Sequence, residues 1–272
     1  MLAVITGATS GIGRSFAENL AGRGYDLVLT GRRDELLSAV ADRIRNSHGV
    51  SVRTIVGDLA VADTENLVIE AIESGHVEFL VNNAGSGLSS DFVVTDRAKL
   101  EQLHEILAGV PSRLIRAALP RMITARSGTI INVGSLAGRL AVPGSSVYVA
   151  AKTYLERLSE TLALELYRDG VVVQALIPGY VRTDFHRSIP DYKRKQRNRG
   201  AIRWMEPDDV VRISMKAAER ARTRLQRGRA TIPRPRDVSV IPGIMNRLLG
   251  GLSRIVPRRL LYAAATNRKR LT

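Results

Sequence analysis

LAVITGATSGIGRSFAENLAGR, residues 2–23, decides how this chain is read. An apolar, β-branched run (LAVIT) enters a glycine-rich turn (TGATSGIG) and leaves it as a helix-period stretch, SFAENLAGR. A strand that turns at once into a helix through glycines is suited to a phosphate. Glycine permits the tight turn and lets backbone amides approach a pyrophosphate, and the helix N-terminus adds a favourable partial charge. Gly7, Gly11 and Gly13 take the turn positions, with Thr9, Ser10 and Ile12 between them. Glycine-rich turns also occur where nothing binds, so the rest of the chain has to decide.

The same alternation continues downstream. Strand-like runs recur at DLVLT (26–30), SVRTIV (51–56), EFLVN (78–82), TIINV (129–133) and VVVQALI (171–177). Helix-period stretches lie between them, among them ELLSAVADRIR (35–45) with Asp34 as its expected N-cap, and the long SSVYVAAKTYLERLSETLALELYRD (145–169). Short strands alternating with helices predict βαβ units, a doubly wound, mostly parallel α/β sheet of the Rossmann type. Near-continuous apolar strands suit a sheet covered on both faces. No internal repeat or low-complexity linker interrupts residues 1–232, which read as one binding and catalytic domain, followed by a basic helical extension over 233–272.

Composition removes several classes of function. The chain has no cysteine, which excludes disulfides, thiolate metal sites and cysteine nucleophiles. Its four histidines (His48, His76, His104, His186) have no metal-ligand spacing, so no metal is expected. No run is apolar enough to span a bilayer, and no targeting signal precedes the glycines, so the expected setting is cytoplasmic, with peripheral membrane contact the one variant considered. The charge is uneven: residues 1–185 hold 18 Lys and Arg against 20 Asp and Glu, whereas residues 186–272 hold 23 against 6.

Four motifs occur in order: TGATSGIG; NNAG (82–85); Ser135 followed by YVAAK (148–152); and IPGYVRT (177–183). Together they resemble the short-chain dehydrogenase/reductase family, in its short single-domain branch, over residues 1 to about 185 and more loosely to about 232. The resemblance implies a nicotinamide dinucleotide on the glycines. It also implies adenine contact at Asp58 with Leu59, packing near the nicotinamide ribose at Asn83, Ala84 and Gly85, and cofactor contact along Pro178, Gly179, Val181 and Thr183. A homo-oligomer and a small-molecule carbonyl partner are implied as well. The family carries an acid near the end of the second strand to select NAD. Here Thr30 and Gly31 are followed by Arg32 and Arg33. A guanidinium matches a 2′-phosphate, so NADP(H) is expected, with Arg32 as its reader.

Tyr148 and Lys152 are i and i+4 on one helical pattern and share a face. A phenol is a weak acid at neutral pH, and a nearby ammonium is expected to lower its pKa. By the resemblance, Ser135 holds a carbonyl, Tyr148 moves the proton, and Lys152 tunes Tyr148 and binds the nicotinamide ribose. One departure stands out. The family's usual fourth catalytic residue is an asparagine, and counting back from Leu119-Pro120 puts Leu107 there, with His104 a candidate substitute. Non-catalytic NADP(H) binding is therefore the competing reading.

The substrate loop, 186–205, is densely basic, which suits an anionic handle such as an acyl-carrier partner or merely a solvated loop. Aromatic residues are too few, and nucleic-acid signatures absent, so no nucleic acid is expected. Further on, Ile241, Ile244, Met245, Leu248, Leu249, Leu252, Ile255 and Val256 recur at helical spacing with Asn246, Arg247 and Arg254 opposite. Such a stripe packs on protein or lies on a membrane surface. Together with the apolar LAGRLAVPG (136–144), it directs the expectation to a lipophilic ketone or 3-oxoacyl substrate.

Overall fold

Each apolar run becomes a strand in the computed structural model, which describes residues 1–186, 198, 203–228 and 232–266. The strands are β1 (Leu2–Ile5), β2 (Asp26–Gly31), β3 (Val52–Val56), β4 (Val77–Asn82), β5 (Gly128–Val133), β6 (Val171–Leu176) and β7 (Ser239–Val240). They form one sheet in the order β3-β2-β1-β4-β5-β6-β7, and every neighbouring pair is parallel. Every residue of β4, β5 and β6 is buried, as expected of strands covered on both faces.

The covering helices are α1 (Gly11–Ala21), α2 (Asp34–His48), α3 (Ala62–Ser74), α4 (Arg97–His104), α5 (Val110–Thr124), α6 (Ser146–Leu166) and a long helix at Pro207–Gln226. One core cluster joins Phe16, Leu20, Leu37 and Ile44 to Val210 and Met215; the other joins Val68, Ile72, Leu114, Ile115 and Ile130 on the opposite face. Inside the second layer a buried polar chain runs from Asn82 Nδ2 to Asn132 Oδ1 (2.8 Å), then from Asn132 Nδ2 to Ser159 Oγ (2.9 Å). It ties β4 and β5 to α6, the helix that carries Tyr148 and Lys152. An unpaired buried amide costs on the order of 1–3 kcal/mol, so this chain fixes the register of the helix against the sheet.

Two expectations need correction. Asp34 is not the N-cap of α2: Arg33 holds that place with extended backbone, and Asp34 and Glu35 stand in the first turn, where they favour the helix dipole. The division at residue 232 does not separate two layers, because β7 lies beyond it and pairs with β6 through Ala175–Ser239 and Leu176–Val240. After β7 come two helices, Ile244–Ile255 and Arg258–Thr266.

Candidate active site

The glycine turn, NNAG, Ser135 and IPGYVRT stand at the carboxyl ends of β1, β4, β5 and β6, next to the point where the order reverses between β1 and β4, and Tyr148 and Lys152 are carried on α6. Ligands of open α/β sheets bind at such a point. The glycine turn after β1 is tightly built. Gly7 and Gly11 have φ of +69° and +57°, values that L side chains rarely adopt. A Cβ at Gly13 would lie 2.3 Å from the Gly7 carbonyl oxygen, and one at Gly11 would lie 2.6 Å from the Thr183 methyl group. NNAG buttresses this turn from behind: Asn83 Nδ2 donates to the Thr6 and Gly7 carbonyls at 3.0 Å each, and the Asn83 and Ala84 amides both donate to Thr6 Oγ1 at 2.9 Å. The cradle fits a pyrophosphate, with α1 starting at Gly11.

The two arginines after β2 part company. Arg33 turns back over the cradle, its Nη2 donating to Thr9 Oγ1 (2.8 Å) and Ser10 Oγ (3.0 Å), and its Nη1 lies 3.3 Å from Asp184. Arg32 is 66% exposed and stands 3.6 Å from Asp58, whose carboxylate also accepts from the Ala60 amide and Gln102. Of the pair, Arg33 rather than Arg32 lies on the glycine turn. Leu59 is buried in the core beside this carboxylate.

After β6 the chain passes Pro178, whose carbonyl accepts from the Leu136 amide at 2.9 Å, and Gly179, where a Cβ would collide with Asn246 at 2.6 Å. Val181 is buried and bridges to Met205. Thr183 rests on Gly11, and Phe185 then packs on the Tyr148 ring with centroids 5.8 Å apart. Neither Asp184 nor Phe185 was marked by any motif, yet Asp184 meets Arg33 over the glycine turn and Phe185 meets Tyr148. Residues 187–197 and 199–202 of the substrate loop lie outside the described residues.

Ser135 follows β5 and opens a 3₁₀ turn, Leu136–Arg139, by accepting from the Ala137 amide at 3.2 Å. The Tyr148 phenol lies within the influence of the Ser135 hydroxyl, which favours its ionised form. Lys152 is buried; its Nζ donates to the Val133 carbonyl at 2.7 Å and sits 5.9 Å from the Tyr148 ring centre. The three side chains of the sequence motif therefore converge. The titration differs from expectation. Burial pushes the Tyr148 phenol up from its ordinary value, the Ser135 hydroxyl pulling less strongly the other way, and burial lowers Lys152 to about 8. In this geometry the ammonium donates to a backbone carbonyl, and desolvation is the larger influence on both groups.

That lowering has a thermodynamic consequence. Unfolded, Lys152 keeps its proton up to about 10.5; folded, it releases it near 8. Between those values the unfolded chain binds more protons, so stability rises with pH, at most by about 1.4 kcal/mol per pH unit. Denaturation of the wild type and Lys152→Met at pH 8 and pH 10 should show the wild type gaining stability relative to the variant. An equal pH response in both would place the shift elsewhere.

Leu107 is buried in a π-helical turn, Glu105–Gly109, between α4 and α5. One of its methyl carbons stands 2.6 Å from where a Gly85 Cβ would be, and it clusters with Leu103, Ala108 and Ala151, with Leu88, Val147 and Tyr148 at the edge. His104 is exposed and does not take the asparagine's place. The apolar character of this wall is thus continuous up to Tyr148.

The fold and this constellation define a nicotinamide-dependent oxidoreductase of the doubly wound class. A model of the short chain dehydrogenase family matches residues 1–194, and the chain belongs to that family. It is 38% identical over 185 residues to a sulfoacetaldehyde reductase of Chromohalobacter salexigens, covering 66% of this chain and 72% of that protein. It is 32% identical over 185 residues to a very-long-chain 3-oxoacyl-CoA reductase of Rattus norvegicus, covering 66% of this chain and 59% of that one. A short-chain dehydrogenase from Sphingobium yanoikuyae, solved in complex with NADPH, superposes with a TM-score of 0.77 at 28% identity, over 100% of this chain and 97% of that chain.

Proposed function

We propose that the protein is an NADP(H)-dependent carbonyl reductase acting on a lipophilic ketone or 3-oxoacyl compound. The observation that carries the reading is the convergence of the Ser135 hydroxyl, the raised Tyr148 phenol and buried Lys152 beside a glycine cradle that fits a pyrophosphate. When bound, the dinucleotide supplies the hydride for the carbonyl carbon. Ser135 and Tyr148 both donate to the carbonyl oxygen and so polarise and orient it. A phenol held in its neutral form is ready to give its proton: the Tyr148 O–H bond breaks as the product O–H forms. Lys152, still mostly protonated at neutral pH, stabilises the phenolate that remains.

The lipophilic half of the reading is supported by Leu88, Leu107 and Val147 around Tyr148, by Phe185 on its ring, and by the name of the rat relative. The bacterial relative's name and the basic loop favour a second reading, a short anionic carbonyl compound. Assays of long-chain 3-oxoacyl thioesters, steroidal ketones and sulfonated short aldehydes separate them. Faster turnover of the last group would overturn the lipophilic half and leave the reductase standing. NADPH binding without turnover of any carbonyl compound would favour the non-catalytic reading.

For the cofactor, both arginines are candidates to read the 2′-phosphate, and the position of Arg33 on Thr9 and Ser10 favours it. A charge-assisted hydrogen bond contributes about 1.5–3 kcal/mol, so Arg33→Ala should lower the NADPH-over-NADH preference roughly 10–150-fold. Arg32→Ala should change it by less. Dissociation constants for both cofactors, read by fluorescence, test this; equal effects of the two substitutions would remove the distinction drawn here.

A further inference from the structure

The helix Ile244–Ile255 is docked the wrong way round for an ordinary surface helix. Asn246 and Gly250 face the protein, whereas Arg247 and Gly251 are exposed. Asn246 is buried, donates to the Pro242 carbonyl at 2.8 Å and lies against Gly179; Gly250 is buried, and a Cβ there would come within about 3.1 Å of Ile241 and Leu136. Its aliphatic residues face outward: Ile244 is 75% exposed, Leu248 55%, Leu252 52% and Ile255 80%. At about 100° per residue these four fall within one arc of roughly 80° and extend along about 17 Å of helix. Leu260 and Tyr262 on the next helix are also exposed. The sequence left open which face of the stripe is covered, and in the structure Asn246 is on the buried side.

Charge identifies what covers this face. Residues 238–272 contain seven Arg and Lys and not one Asp or Glu, while residues 1–185 are nearly neutral. A second copy of the chain would bring two acid-free basic segments together, and like charges repel. An anionic surface would satisfy both features at once. A bilayer also needs no complementary groove to accept a straight aliphatic stripe; such helices lie in the headgroup boundary, apolar side down, with cations against anionic lipids. We infer that the exposed face of Ile244–Ile255 docks on an anionic lipid surface. The same helix rests on Leu136 and Arg139, immediately after Ser135, so docking sets the substrate side of the site beside the membrane. The lipid-binding inference stands apart from catalysis; only this last consequence rests on the proposed carbonyl reduction.

Flotation of the full chain with vesicles tests it without cofactor or substrate, so it can fail while carbonyl reduction holds, and the reverse. The wild type should float with vesicles of mixed phosphatidylcholine and phosphatidylserine, stay behind with phosphatidylcholine alone, and be released by high salt. Leu248→Asp/Leu252→Asp should weaken vesicle binding about tenfold or more with melting temperature and NADPH affinity unchanged, since both side chains are exposed. If that variant folds poorly, Leu248→Ser/Leu252→Ser serves the same purpose. Failure of the wild type to bind the mixed vesicles, or undiminished binding by the variant, would overturn the inference. So would a wild type that ignores vesicles but whose mass by light scattering falls when the stripe is substituted, which would make the stripe a contact between copies.

Discussion

Tyr148→Phe is expected to cut carbonyl turnover roughly 10²–10⁴-fold, the usual contribution of a positioned general acid, while leaving folding and NADPH affinity close to wild type. The substitution removes one oxygen. The ring stays packed on Phe185 and against the Leu103–Leu107 cluster, so the wall of the site survives. What disappears is the hydroxyl proposed as the proton donor beside Ser135. Turnover, melting temperature and cofactor affinity, measured side by side, separate chemistry from structure. A loss below tenfold would mean that the carbonyl oxygen takes its proton from another source.

The second large effect concerns stability. Glu156, one turn beyond Lys152 on α6, accepts at Oε1 from Arg139 Nη2 (2.5 Å) and Nε (3.0 Å), with Nε also 3.3 Å from Oε2, and both side chains are almost fully buried. Glu156→Ala would strand a guanidinium in that interior, at a cost of about 3–5 kcal/mol. For a domain of this size, at about 2–4 °C per kcal/mol, that corresponds to a fall in Tm of roughly 6–20 °C. Replacing both partners by apolar residues of similar volume, Arg139→Met/Glu156→Leu, should restore most of it, because the buried charge is gone. Thermal denaturation of the three proteins gives the comparison. An unchanged Tm for Glu156→Ala would show that the pair contributes little.

Much of this could be read from the chain. Strands such as β1, β4 and β6 were legible because a strand covered on both faces must be apolar at nearly every position, and LAVI, FLV and VVVQAL declare themselves. Ser135, Tyr148 and Lys152 were legible because the family motifs fix their spacing. β7 was not: two residues, Ser239 and Val240, carry no periodicity and exist as a strand only because β6 offers an open edge. Arg32 and Arg33 could not be told apart, since adjacent residues leaving a strand head in different directions and the sequence does not say which returns to the glycines. Nor does spacing mark a π-helical turn, so Leu107 read as a missing asparagine before it was seen as part of an apolar wall. The C-terminal stripe shows the same limit. Helical periodicity finds two faces but not which is buried, and here close approach at Gly179 and Gly250 selected the small, polar one.

Arg139 gives that last contact a practical meaning. One guanidinium holds Glu156 on the catalytic helix and reaches the Gly250 carbonyl, 3.5 Å away, on the helix that carries the exposed stripe. The basic tail is therefore not an appendage to be trimmed for convenience. Cutting the chain before residue 244 would uncover Leu136, take a partner from Arg139 and open Gly179 to water in a single stroke. A shortened protein that lost activity would say nothing about lipid, because the cut would already have reached the foundations of the active site.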